Sequence, residues 1–194
     1  MTHRFVASAA IAIIAVSLPS ARSRAQEPST EQQIANATSP LPDNLSAGAA
    51  VMGYRGGELV TLREGSNVMI CLADDPKQEG FHAACYHEDL EPFMARGREL
   101  RAAGHETPAV EAARLAEIEA GTLVIPTEPR ALYSLSSRQE FDVASGAAPD
   151  AGGLYVIYLP YATEESTGIS AKPAGDRPWL MYPGKPWAHV MISR

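Results

Sequence analysis

Cys71 and Cys85 are the only cysteines in a chain whose first 25 residues read as an export leader. An even cysteine count in an exported chain points to a disulfide framework, here a single bridge. Bridging the two would close a ring of 15 residues, which the chain-entropy model values at about 3 kcal/mol. The link would join the end of one strand to the approach of the first long helix. It would clamp Ala73 to Ala84, a polar stretch broken by Asp74-Asp75-Pro76 and Gly80.

The leader rests on three features. Met1-Thr2-His3-Arg4 is basic, Phe5 to Leu18 carries no charge over 14 residues, and Ser23 and Ala25 place small side chains at −3 and −1. Fourteen residues fall short of the ~20 that span a bilayer. No cysteine follows them to take a lipid, and no later stretch resembles a span. The expected product is a periplasmic or extracellular soluble protein with no membrane span after cleavage. Removing residues 1–25 takes away three of the 16 basic residues and none of the 23 acidic ones, leaving a net charge of −10. Charge of this sign opposes binding to nucleic acid and to anionic membrane surfaces.

Residues 26–48 read as a tether with one short helix near Thr30 to Ala37, capped by Thr30, packed through Ile34 and ended by Pro40 and Pro42. Residues 49–194 read as a single α+β domain. A hairpin of 49–54 and 58–62 turns at Arg55-Gly56-Gly57, and Val68 to Leu72 follows as a third strand, so the first three strands are expected to form an antiparallel meander. Two helices in series are expected. The first starts near Asp89 or Leu90, because Pro92 is tolerated only in a first turn, and the second starts at Thr107-Pro108 and runs to Gly121. Strand-like runs return at 122–125, 131–135, 154–161 and 187–192, separated by long loops at 136–153 and 162–186. The expected architecture is a mainly antiparallel sheet of about six or seven strands with two consecutive helices packed on one side.

No GxSxG elbow, HExxH helix, phosphate-binding loop, EF-hand loop or redox CxxC is present. His189 alternates with Ala188 and Val190, sharing a face with Trp187 and Met191. It is the one weak catalytic candidate, with Glu164, Ser166 or Thr167 as conceivable neighbours, although a hydrogen-bonded core histidine is the commoner arrangement. Cys71, His82, Cys85 and His87 offer the ligand types of a Cys2His2 zinc site. The lack of a CxxC pair and the oxidising compartment favour the disulfide, with no metal or other cofactor. Trp179, Tyr182, Trp187 and His189 lie on or beside a proline-stiffened loop that would suit a binding platform, the competing reading being core packing.

Several short runs mark a wider kinship: Leu62-Arg63-Glu64-Gly65-Ser66-Asn67, Cys71-Leu72-Ala73-Asp74, Cys85, Tyr158-Leu159-Pro160-Tyr161-Ala162-Thr163, Pro178-Trp179-Leu180-Met181 and His189-Val190-Met191-Ile192. On these the chain resembles a group of exported bacterial proteins with paired cysteines and no assigned chemistry. The resemblance implies a shared fold and transfers no catalytic residue. The function expected is therefore binding of a small ligand or an envelope protein, with a hydrolase or metal-dependent enzyme using His189, or His82 and His87, as the alternative.

Overall fold

The computed structural model describes residues 27–142, 144–145 and 148–193, so the expected leader lies outside the described residues. Eight strands form one sheet in the order β2-β1-β3-β4-β5-β6-β8-β7. They are β1 (Ala50–Arg55), β2 (Glu58–Arg63), β3 (Met69–Leu72), β4 (Phe81–His87), β5 (Arg130–Ser137), β6 (Gly152–Tyr158), β7 (Trp179–Met181) and β8 (His189–Ser193). Every neighbouring pair is antiparallel except β1 and β3. The chain is thus α+β, as expected, with one strand more than the upper count.

The β1–β2 hairpin closes through Gly56 and Gly57, with φ of 62° and 82°. Two successive positive φ values define the tight turn whose twist suits a hairpin, and glycine adopts them without steric cost. The expected meander then fails. β3 does not fold back onto β2; it lies on the other side of β1 and runs parallel to it. The cause is the link after β2, which crosses the start of β1 rather than turning in the sheet. Ser66 and Asn67 donate their backbone N–H groups to Gly48 O at 2.7 and 3.1 Å, and Asn67 Nδ2 donates to Leu45 O at 2.8 Å. Gly65 permits the crossing, because a Cβ there would stand 2.8 Å from Ala50 N.

Two strands escaped the sequence reading and one was assigned wrongly. β4 begins directly after Gly80, inside the stretch read as irregular, and β7 lies inside the 162–186 loop. The run at 122–125 forms no strand. Its backbone instead finishes a helix, with Thr122 and Leu123 both donating to Glu117 O, and Leu123 turns into the core.

The helices are α1 (Thr30–Thr38), α2 (Asp43–Ser46), α3 (Glu91–Ala102), α4 (Thr107–Glu119) and α5 (Glu164–Thr167). A 3-10 turn at Glu88–Leu90 leads into α3, which keeps Pro92 in its first turn. α3 and α4 pack on one face of the sheet, as expected, where Phe93, Met94, Leu115 and Ile118 meet Ile70, Leu72, Leu132 and Val156. Arg96 ties the pair together by ion-pairing Glu117 at 2.7 Å.

α1 lies against the opposite face. There Ala37 is fully buried with Val51, Met69, Cys71 and Cys85. The stretch expected as a tether is therefore partly core, and its helix is capped one residue earlier than expected. Ser29 and Gln32 form a reciprocal capping box, Ser29 Oγ accepting from Gln32 N at 3.2 Å and Gln32 Oε1 from Ser29 N at 2.7 Å.

Cys71 and Cys85 are bonded, directly opposite each other on β3 and β4, and both are fully buried. The bridge thus ties strand to strand, and the connecting loop holds Asp74 at its start. Among the described residues no helix is long and apolar enough to cross a membrane. A buried disulfide is compatible with an extracytoplasmic chain.

Candidate functional site

His189, Tyr182 and Trp187 do meet, but as packed core. His189 is 8% exposed, and its Nδ1 donates to Trp187 O at 2.8 Å, so that in the neutral ring Nε2 is the acceptor. The imidazole sits 4.9 Å from the Tyr158 ring and 5.8 Å from the Tyr182 ring. Trp187, 3% exposed, packs 5.7 Å from Phe93, and its Nε1 has no hydrogen-bond partner among the described residues. Tyr182 donates its hydroxyl to Glu111 Oε1 at 2.7 Å. Arg114, also buried, lays its guanidinium 3.8 Å from the centre of the Phe93 ring, an arrangement that attracts a cation to an aromatic face. Trp179 stands apart on the edge strand β7, paired with Met191.

Among the described residues the serine and threonines of the nearby loop are held by their own loop rather than by His189. Ser166 and Thr163 bond each other in the capping box of α5, Thr167 Oγ1 donates to Thr163 O, and Glu164 Oε1 accepts from Ala171 N–H at 2.7 Å. These candidates spend their polar groups on their own loop.

Burial holds the His189 pKa below its ordinary value, with the bond to Trp187 O acting the other way. The phenols of Tyr158 and Tyr182 face the ring, with Arg114 and Glu111 behind them. A histidine depressed in the folded state contributes stability above its unfolded pKa of about 6.5 and loses it as pH falls through the folded value. His189→Gln is therefore expected to flatten the decline in melting temperature between about pH 7 and 5. His82, depressed by burial as well, retains part of the slope. Melting curves with an unchanged slope would remove His189 as a source of acid sensitivity.

The zinc alternative is corrected by the bridge itself. Cysteines joined to each other have no thiolate to offer a metal. His82 and His87, five residues apart on one strand, point to opposite faces of the sheet. His82 bonds Ser134 Oγ at 3.2 Å, and His87 Nδ1 accepts from Asp89 N–H at 3.2 Å, capping the turn before α3. Among the described residues no group of three His, Cys, Asp or Glu is placed to hold a metal ion.

A different place has the form of a site. A cavity of about 400 Å³ opens between α1, the end of β1 and the loop that the disulfide closes, with Glu27, Gln33, Asn36, Tyr54, Asp74 and Glu140 in its wall. Gln33 builds one side of it. Its Oε1 accepts from Tyr54 N–H at 2.7 Å, and its Nε2 donates to Tyr54 O at 2.9 Å and Pro28 O at 3.0 Å. Gly53 makes this reach possible, because a Cβ there would lie 2.6 Å from Gln33 Oε1. Asn36, one turn further along α1, is 7% exposed, and its Oδ1 is sealed from solvent with no hydrogen-bond partner among the described residues.

On the other side Asp74 accepts from His82 N–H at 2.8 Å. Burial raises the Asp74 pKa, and the nearby Glu140 and Asp75 carboxylates push in the same direction. Burial also pushes the Tyr54 phenol up to about 12, with Asp75 adding to the shift. Glu27 accepts from Gly56 N–H at 2.9 Å at the rim. Among the described residues the lining holds three carboxylates and no lysine, arginine or histidine. The nearby Lys77 turns its ammonium to Gly57 O at 3.3 Å.

Sequence reasoning missed this cavity because half of it belongs to the supposed tether. The available clue was Gln33 and Asn36 sharing a helical face with Ala37, polar groups where an amphipathic helix should be apolar. No family model, curated protein or solved structure matches the chain significantly.

Proposed function

We propose that this chain is an exported, non-catalytic binding domain whose small-molecule site is the cavity beneath α1. The cavity carries the reading. Polar side chains from α1, β1 and the loop after β3 converge on it, and Gln33 is fixed in its wall by three hydrogen bonds. The volume falls in the range of small-molecule sites, with a few convergent polar groups in the wall. The loop at 162–187, by contrast, has committed Trp187 and His189 to the core, and among the described residues no group of three His, Cys, Asp or Glu is placed to hold a metal ion.

The test separates binding from support. Asn36→Leu is expected to raise the unfolding free energy of the empty protein by about 1 kcal/mol, since it removes an unsatisfied group from a buried site. The same change should abolish thermal stabilisation by any small molecule, anions excepted, that protects the native chain. Small-molecule stabilisation of that kind that survives Asn36→Leu undiminished would place binding elsewhere and overturn the cavity as the site.

A further inference from the structure

We infer that the crossing of α3 and α4 holds a second site, independent of the cavity beneath α1: a two-arginine clamp for the carboxylate of a small organic acid. Arg101 and Arg114 reach it from separate helices. A Cβ built on Gly97 would stand 3.0 Å from Arg114 Nη1 and 3.1 Å from Arg101 Nη1, so both guanidiniums come to one point on the bare face of that glycine. Neither has a counter-ion. The arginines in ion pairs among the described residues are Arg96, Arg98 and Arg130.

Arg114 makes the deficit acute, because it is 8% exposed and its Nη1 reaches only Phe93 O, at 3.3 Å. A buried charge is expensive unless it is paired. Burial first, and then the charge of Arg101, hold the Arg114 pKa below its ordinary value. The Phe93 ring covers one flat side of the guanidinium and Nε is sealed, whereas Nη2 is not sealed and has no bond among the described residues. The glycine is the second half of the device. Inside a helix it costs about 1 kcal/mol relative to alanine. Alanine here would press only on the ends of the two arginines, so the open space is kept against helix propensity.

The charges nearby select the ligand. Glu111 accepts from Tyr182 Oη at 2.7 Å, and its carboxylate and the phenols of Tyr158 and Tyr182 are the groups that favour the charged Arg114. Two guanidiniums against one carboxylate leave a single positive charge, which a monoanion balances and a dianionic phosphate exceeds. A carboxylate also offers two oxygens, one for each guanidinium. A cation would meet two like charges, and an alcohol would leave both uncompensated.

The isotope-labelled protein would be titrated by NMR with sodium propanoate, sodium phosphate and propanol, all in sodium chloride of matched ionic strength. Propanoate should shift the backbone signals of Gly97, Arg101 and Arg114 to saturation, phosphate should bind more weakly, and propanol should do nothing. Arg101 is exposed, so Arg101→Gln should fold, and it should weaken propanoate binding about tenfold, as loss of one charge-assisted hydrogen bond does. Gly97→Ala should fold and abolish binding. Asn36→Leu, across the sheet on α1, should leave it unchanged.

Absence of a saturable shift with propanoate at millimolar concentration overturns the clamp. So does binding that Arg101→Gln and Gly97→Ala leave undiminished. Phosphate held more tightly than propanoate would overturn the carboxylate as the ligand. Loss of propanoate binding in Asn36→Leu would assign it to the cavity beneath α1 and overturn the second site.

Discussion

Trp187→Ala is expected to cost about 3–5 kcal/mol of unfolding free energy, the largest effect of any single substitution considered. The indole is 3% exposed and is enclosed by Phe93 at 5.7 Å and Tyr182 at 6.1 Å between ring centres. Arg114 stands 5.9 Å from its ring, so truncation opens a space beside a buried cation. The chemistry of the loss can be divided by a second variant. Trp187→Phe keeps an aromatic ring against Phe93 and removes an indole N–H that has no acceptor among the described residues. Relief of that unsatisfied donor offsets part of the lost volume, so Phe should cost much less than Ala. Urea denaturation of the three proteins measures both differences. Equal losses for Phe and Ala would show that the indole N–H has a partner in solution.

Reducing the Cys71–Cys85 bridge is expected to cost about 3 kcal/mol, the value for a ring of 15 residues given a sequence separation of 14. The Cys71→Ala, Cys85→Ala double variant should lose more, because it also removes two fully buried sulfur atoms packed with Ala37 and Val51. Urea curves with and without reductant give the first number, and the double variant gives the second. The loop so released carries Asp74, so reduction should loosen the cavity wall beneath α1 more than an equal destabilisation placed in α3 or α4. Stability that does not change on reduction would mean that the β3–β4 ladder already confines the unfolded chain.

Local rules served the sequence reading well wherever one segment decides its own conformation. Gly56-Gly57 announced a hairpin, Pro92 and Thr107-Pro108 placed two helices, and the even cysteine count in a chain with an export-type leader announced the bridge. Failures came where distant contacts decide. Val68 to Leu72 shows no preference for which side of β1 it joins; the Gly65 crossing over Ala50 settles that. Phe81 to His87 alternates correctly, yet the breakers before it and the histidine at 82 concealed a strand that needs β3 and β5 on either side. The site was less legible than the fold. A cavity wall drawn from residues 27, 33, 36, 54, 74 and 140 leaves no local motif, and aromatic residues near His189 drew attention that packing alone explains.

The order of the strands also places β2 and β7 at the two borders of the sheet, and each is guarded against a stray strand from another chain, β7 in part by Leu180 N–H donating to Ser170 O at 2.9 Å. β7 is only three residues long and lies between Pro178 and Pro183, which have no N–H to lend to a ladder. β2 begins at Glu58 and ends at Arg63, and a bulge near Val51 and Met52 bends its pairing with β1. An open sheet of this width would otherwise be a template for edge-to-edge pairing between copies of the chain.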